Sequence, residues 1–189
     1  HTAHPYNGAY GMSHFGTVVQ VLYLFSGTEL ELSHEYFETI MNWVYQGFEP
    51  LVFRGALCAF VRGREISRFA NTDNKKGREL LQILLRLTRI LPEMEYERIA
   101  SYIKYLLISD PTYSSYYDGI NSIAGVMAIQ NIMNDASIVP RSSYNVYKQY
   151  PNMDRMMVQR ENFAFGVSMH SSRIYNFEII NNENLKGWH

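Results

Sequence analysis

Phe163-Ala-Phe165-Gly-Val167-Ser-Met169 is the stretch on which the fold turns. Its large apolar residues alternate strictly with small or polar ones, the period of a β-strand. Tyr175, Phe177 and Ile179 repeat that period, with Asn176 and Glu178 on the opposite face. Ahead of residue 136 the rhythm differs. Val18, Val21, Leu22 and Phe25 fall at helical spacing, as do Phe37, Ile40, Met41 and Val44 between a candidate cap at Ser33 and Gly47. Leu80, Ile83, Leu84 and Leu87 form a third stripe, ended by Pro92, and Ile99, Tyr102, Ile103 and Leu106 a fourth, ended near Asp110-Pro111. Ile120, Ile123, Ala124 and Met127 give a fifth. Stripes this broad suit helices packed on two sides in a layered α/α array. Between the second and third, residues 48–76 break the pattern with Pro50, Gly55, Gly63 and the polar run 71–74, as a long irregular connection does. The fold class expected is therefore α+β, helices over residues 1–135 and the start of a sheet domain over 136–189.

Composition narrows the function. The 189 residues are 47% hydrophobic and 19% charged with a net charge of −1, which supports a packed core and gives no basic balance suited to nucleic acid. One segment stands apart: Arg54, Arg62, Arg64, Arg68, Lys75, Lys76 and Arg78 face only Glu65 and Asp73 within residues 54–78. Such a patch suits an anionic ligand, or else is a solvated basic face. Cys58 is the single cysteine, so no intrachain disulfide forms, and no apolar run is long enough for a membrane span. The chain opens at His1 without an initiator Met or signal peptide and closes at Trp188-His189, and it reads as an internal fragment.

The opening, His1-Thr-Ala-His4-Pro-Tyr6-Asn7-Gly8-Ala9-Tyr10-Gly11, crowds polar, aromatic and glycine residues before the first helix. Gly8 and Gly11 bracket Tyr10, as expected for a tight bend that projects its phenol into a cleft. His1 stands nine residues before Tyr10. Further on come Arg62-Gly-Arg64-Glu-Ile-Ser-Arg68, Met153-Asp-Arg155 and Ser171-Ser-Arg-Ile174. The last segment holds Glu178, Asn181, Glu183, Asn184, Gly187 and Trp188. In this order and spacing the chain resembles polysaccharide lyase family 8, the lyases of hyaluronan, chondroitin and xanthan.

That resemblance implies the later part of an incomplete α/α toroid followed by the first strands of an antiparallel β-sandwich. It implies cleavage of a uronic-acid polymer by β-elimination, leaving a 4,5-unsaturated uronate. It gives Tyr10 the role of acid toward the leaving oxygen, with Tyr10 and His1 competing as the base at C5. Arg64 would sit beside Tyr10, Glu178 would orient Arg64, and Arg68 and Asn181 would bind the polymer. A phenol ionises only near pH ~10, and a neighbouring guanidinium favours its anion. No metal or other cofactor is implied. The implied partners are an anionic polysaccharide and the remainder of the chain's own polypeptide, with no nucleic acid and no membrane span. A polymeric substrate implies secretion or display at the cell surface. The family neutralises the substrate carboxylate with an Asn upstream of the His, and that residue and an aromatic patch are missing here. The fragment by itself is therefore expected to be inactive. Asn7 lies in the right turn but not at the family position.

Other readings stand beside this one. A non-catalytic carbohydrate-binding remnant would keep the fold without the chemistry. An amino-terminal His binding copper belongs to compact β-sandwiches, which five helical stripes oppose. A glycoside hydrolase needs two carboxylates flanking the bond; Glu178 and Glu183 are available, with no acid near Tyr10. His4, His14, His34, His170 and His189 show no metal-ligand spacing.

Overall fold

The computed structural model describes residues 4–33, 35–142 and 144–185. A π-helical turn at Asn7–Gly11 leads into α1 (Met12–Phe25), followed by α2 (Glu35–Asn42) and a second π-helical turn, Trp43–Phe48. A small hairpin joins β1 (Val52–Phe53) to β2 (Ala56–Leu57), and short 3-10 turns follow at Ala59–Val61 and Gly63–Ser67. Then come α3 (Asp73–Leu87), α4 (Glu93–Ser109) and α5 (Ile123–Asn134). The chain ends in an antiparallel sheet of β3 (Val146–Tyr150), β4 (Arg155–Gln159) and β5 (Ala164–Ser168), in that order.

Local chemistry sets the helix starts. Thr72 caps α3 by accepting the Lys75 amide at 3.2 Å, with Asp73 in the first turn. Ser122 caps α5 through the Gly125 amide at 3.1 Å. Pro92 precedes α4, whose first turn carries Glu93 and Glu95. Helix α3 lies at the centre, against α1, α4, α5 and β2. Its Leu80, Ile83, Leu84 and Leu87 are all buried, and so are Ile99, Tyr102, Ile103 and Leu106 of α4.

Two stripes face differently from the expectation. On α1 the buried set is Met12, Phe15, Val19 and Leu22, while Val21 and Phe25 are exposed. On α5 Gly125, Ile129 and Ile132 are buried, while Ile123 is 82% and Met127 57% exposed. Both helices are apolar around most of their circumference, so periodicity alone cannot select which face meets α3.

The sheet departs from expectation too. Strand β5 forms where the alternation falls, but its small residues face the helices and its large ones face outward. Gly166 lies under Phe60, whose ring a β-carbon there would overlap, while Phe163 and Phe165 are exposed. Strands β3 and β4 were not anticipated; Lys148 and Gly166 both pair with Met157 of β4. The strand expected over 175–179 is absent. Among the described residues that segment is irregular apart from a bridge between Ile180 and Glu183.

The irregular connection at 48–62 is the seat of the sheet. Gln159 Nε2 donates to the carbonyls of Pro50 (2.7 Å) and Val52 (3.0 Å), and Arg155 Nε to that of Phe60 (3.3 Å). The Cys58 and Met157 sulfurs meet at 3.7 Å, and burial pushes the Cys58 thiol up to about 12. The tether between α5 and β3 is held as well. Lys104 Nζ donates to the Asp135 carbonyl (2.8 Å) and Ser101 Oγ to that of Val139 (2.7 Å). Arg141 pairs with buried Glu49 among the rings of Tyr102, Tyr105 and Tyr144.

Candidate active site

The π-helical turn is closed by the Tyr6 carbonyl, which accepts the Gly11 amide at 2.8 Å and the Ala9 amide at 3.2 Å. Such turns recur at functional sites because the extra residue re-aims a side chain. Neither Gly8 nor Gly11 takes a positive φ; the bend expected at these glycines is instead a turn continuous with α1. Tyr10 leaves it 59% exposed.

Under that phenol lies a buried cation. Arg64, in the Gly63–Ser67 turn, is 9% exposed. Its Nη2 donates to the Tyr10 hydroxyl at 3.0 Å, and Nη1 to Glu178 Oε2 at 2.8 Å and to the Tyr6 hydroxyl at 2.9 Å. Nε donates to Glu183 Oε2 at 2.9 Å. The planar guanidinium thus joins two phenols and two carboxylates. The hydrogen bond with Tyr10, opposed by burial and aided by Glu183, holds Arg64 above its ordinary range.

One turn on, Arg68 Nε and Nη2 bind Glu183 at 2.6 and 3.0 Å, and Nη1 binds Glu65 at 3.0 Å. Glu183 therefore bridges both arginines. Its carboxyl is held below the usual carboxylate range by Arg68 above all, against the opposing cost of desolvation, with Arg64 adding to the fall. Arg68 is raised in return, chiefly by its hydrogen bond with Glu183.

The segment that carries Glu178 and Glu183 is shaped by asparagines. Asn181 (φ 55°) and Asn182 (φ 62°) occupy the left-handed region inside the Ile180–Glu183 bridge, and Asn184 (φ 59°) follows. Two consecutive left-handed residues make a tight turn, which Asn tolerates better than most residues other than Gly. The Asn184 amide donates to Ser67 Oγ at 3.1 Å, and its Nδ2 to the Glu178 carbonyl at 3.1 Å. Sheet-side carboxylates are thereby locked onto the arginine turn of the helical side.

Of the residues singled out in the sequence, Tyr10, Arg64, Glu178 and Arg68 meet here. Asn181 is exposed at the tip of the asparagine turn. His1, Gly187 and Trp188 lie outside the described residues. Asn7 Nδ2 donates to the Gly47 carbonyl at 3.3 Å and faces the helices. Two contributors went unrecognised. Tyr6 stands one helical turn before Tyr10, a spacing that signals a shared face. Glu183 belonged to a quoted motif without a charge partner assigned to it.

The basic segment is no open anion patch. Arg62 pairs with Asp73, Lys76 with Glu65 and Glu79 at 2.8 Å each, and Arg78 lies 3.7 Å from Asp110. Arg62 and Lys76 are met by carboxylates close in sequence, while Arg64, Arg68 and Arg78 reach Glu178, Glu183 and Asp110, which a local tally does not see. Among the described residues no group of His, Cys, Asp and Glu is placed to hold a metal ion, and no helix is long and apolar enough to cross a membrane.

Helices joined to an antiparallel sheet, with a phenol–guanidinium–carboxylate cluster on the seam, define a two-part α+β protein whose site draws on both parts. The model of the polysaccharide lyase family 8 N-terminal α-helical domain matches residues 1–105, and that of the family's super-sandwich domain matches residues 145–189. The chain belongs to polysaccharide lyase family 8. It is 35% identical over 189 residues to a xanthan lyase of Bacillus sp. (strain GL1), covering all of this chain and 20% of that protein. It is 32% identical to a hyaluronate lyase of Staphylococcus aureus, covering 98% of this chain and 23% of that one. A solved Paenibacillus xanthan lyase superposes with a TM-score of 0.92 at 33% identity, over all of this chain and 18% of the other. A chondroitin AC lyase from Streptomyces coelicolor shares the fold at 24% identity, with a TM-score of 0.87 over 97% of this chain and 26% of the other. The chain spans about a fifth of the length of the curated relatives it matches first.

Proposed function

We propose that these residues are part of the active cleft of a polysaccharide lyase that cuts a uronic-acid polymer of the hyaluronan, chondroitin or xanthan type. The observation that carries this reading is the Arg64 guanidinium, which presents a donor to the exposed Tyr10 phenol while Glu178 and Glu183 hold it from behind. β-Elimination needs a base at C5, an acid at the glycosidic oxygen and neutralisation of the C6 carboxylate. The base removes the C5 proton, the electron pair forms the C4–C5 double bond, and the C4–O bond breaks. The departing oxygen takes a proton and becomes the hydroxyl of the leaving sugar.

Tyr10 supplies that proton, and Tyr10 or His1 takes the one from C5. A cation fixed against the phenol oxygen stabilises charge developing there. Arg64 does this from behind the phenol, with four of its five N–H donors engaged by Tyr6, Tyr10, Glu178 and Glu183. Glu178 orients Arg64. Arg68 and Asn181 engage the polymer, Arg68 from the partly exposed side of its pair with Glu183 and Asn181 from the turn tip. Residues 1–135 form the end of the helical domain and 136–189 the start of the sheet domain. The rest of the polypeptide supplies the carboxylate-neutralising group, and the enzyme works outside the cell or on its surface, where such polymers are met.

The test is ultraviolet absorbance of digests of hyaluronan, chondroitin sulfate and xanthan by the intact parent and by its Tyr10→Phe variant. Absorbance that rises with one polymer and is lost in the variant supports elimination through Tyr10 and names the substrate. Shortening of the polymer without new absorbance means hydrolysis and ends the proposal. Binding without cleavage favours a carbohydrate-binding role.

A further inference from the structure

Tyr6 touches both partners of the Tyr10–Arg64 hydrogen bond. Its hydroxyl shares Arg64 Nη1 with Glu178, and its ring meets that of Tyr10 edge-on with centroids 4.9 Å apart. Its carbonyl closes the turn that carries Tyr10. The ring also fills the space over Gly63, immediately before Arg64, where a β-carbon would overlap it. The stacked His4–Tyr175 pair, with centroids 4.8 Å apart, backs it on the far side, His4 lying edge-on to Tyr6 at 5.9 Å.

We propose that Tyr6 is a positioning residue for the elimination, aiming Arg64 Nη2 at the Tyr10 oxygen. This rests on the lyase reading above. Each added acceptor narrows the tilt open to a planar guanidinium, and Tyr6 adds a neutral one beside two carboxylates that draw Arg64 away from the phenol. Tyr6 is half-buried behind the exposed Tyr10, so it acts through Arg64 and not on the polymer.

The experiment is steady-state kinetics of the intact parent with Tyr6→Phe, alone and combined with Arg64→Lys. Tyr6→Phe keeps the ring and the turn and removes only the hydroxyl. The expected result is a kcat lower by about tenfold, the kinetic worth of one hydrogen bond, with KM changed by less than about twofold. In the Arg64→Lys background, with no guanidinium left to aim, loss of the hydroxyl changes kcat by less than about twofold. A wild-type kcat in Tyr6→Phe overturns the proposal. So does an equal loss in the Arg64→Lys background, which would mean a general structural role, or a raised KM at unchanged kcat, which would mean direct contact with substrate. Wild-type parent that releases no unsaturated product removes the lyase reading and this proposal together; active wild type with an indifferent Tyr6→Phe removes this one alone.

Discussion

Gly63 has φ 54° and the Tyr6 ring where a side chain would begin. Gly63→Ala must therefore strain the backbone and push Tyr6 aside. The expected cost is about 1–3 kcal/mol of stability, read from the denaturation midpoint, together with a fall in elimination rate. An alanine variant with an unchanged midpoint and rate would show that the turn has room to adapt. Glu183 gives a prediction in pH. Its folded carboxyl titrates below the ordinary glutamate value, which is about 4.3 in an unfolded chain. The stabilisation from its pairs is complete above that value and is lost as pH falls through the lower, folded one. The thermal midpoint of the wild-type parent should thus drop more steeply below about pH 4.3 than that of Glu183→Gln, which has no proton to gain. Equal slopes would remove Glu183 from the acid response. At this scale much of the site was legible. Tyr10, Arg64, Arg68 and Glu178 are recognisable in motifs, but the pairing of Glu183 with both arginines spans more than a hundred positions. Three asparagines in the left-handed region create it, and the strand period read over 175–179 stops short of them and gives no sign of the turn.

Among the elements, α3 and α4 were legible because polar side chains, Glu79, Gln82 and Arg86 on α3 and Glu97, Arg98 and Ser101 on α4, fall outside the buried set and leave the apolar stripe well marked. Helices α1 and α5 were not, since they are apolar on several faces and only tertiary contact decides among them. Strands β3 and β4 escaped notice because their inward face is made partly of Lys148, Arg155 and Gln159, polar residues that satisfy backbone carbonyls or distant side chains of the helical part. The tether between the two parts makes the prediction here. Arg141 pairs with Glu49, which is only 5% exposed. Arg141→Ala leaves that carboxylate buried without its cation and opens a gap among Tyr102, Tyr105 and Tyr144. Removing one partner of a buried pair costs about 3–5 kcal/mol. Thermal unfolding of the parent should show the loss, and hydrogen exchange should rise first in the 135–145 tether and β3. Exchange confined to α1 and α2 would mean that the tether is not held by this pair.

The molecule as a whole packs one side of its helices and one side of its sheet well and leaves the other sides bare. Ile123 and Met127 stand out from α5, and Tyr147 and Phe165 lie in one cross-strand row with Val158, both 58% exposed. The bare sheet face is the one carrying the large residues of β5, while the face toward the helices has Gly166 under Phe60. Apolar surfaces gathered this way associate unless something covers them. The 189-residue chain expressed alone should self-associate in a concentration-dependent way at roughly micromolar levels, and light scattering should find the intact parent free of this behaviour. Two variants separate the surfaces. Met127→Glu places a charge on α5 and Phe165→Thr trims the sheet row, neither touching the Arg64 cluster. If the sheet face dominates, Phe165→Thr suppresses association and Met127→Glu leaves it; the reverse points to α5. Monodisperse chain at all concentrations would mean that these faces are too divided by polar neighbours to act as patches, and the need for covering surfaces from elsewhere in the polypeptide would fall with it.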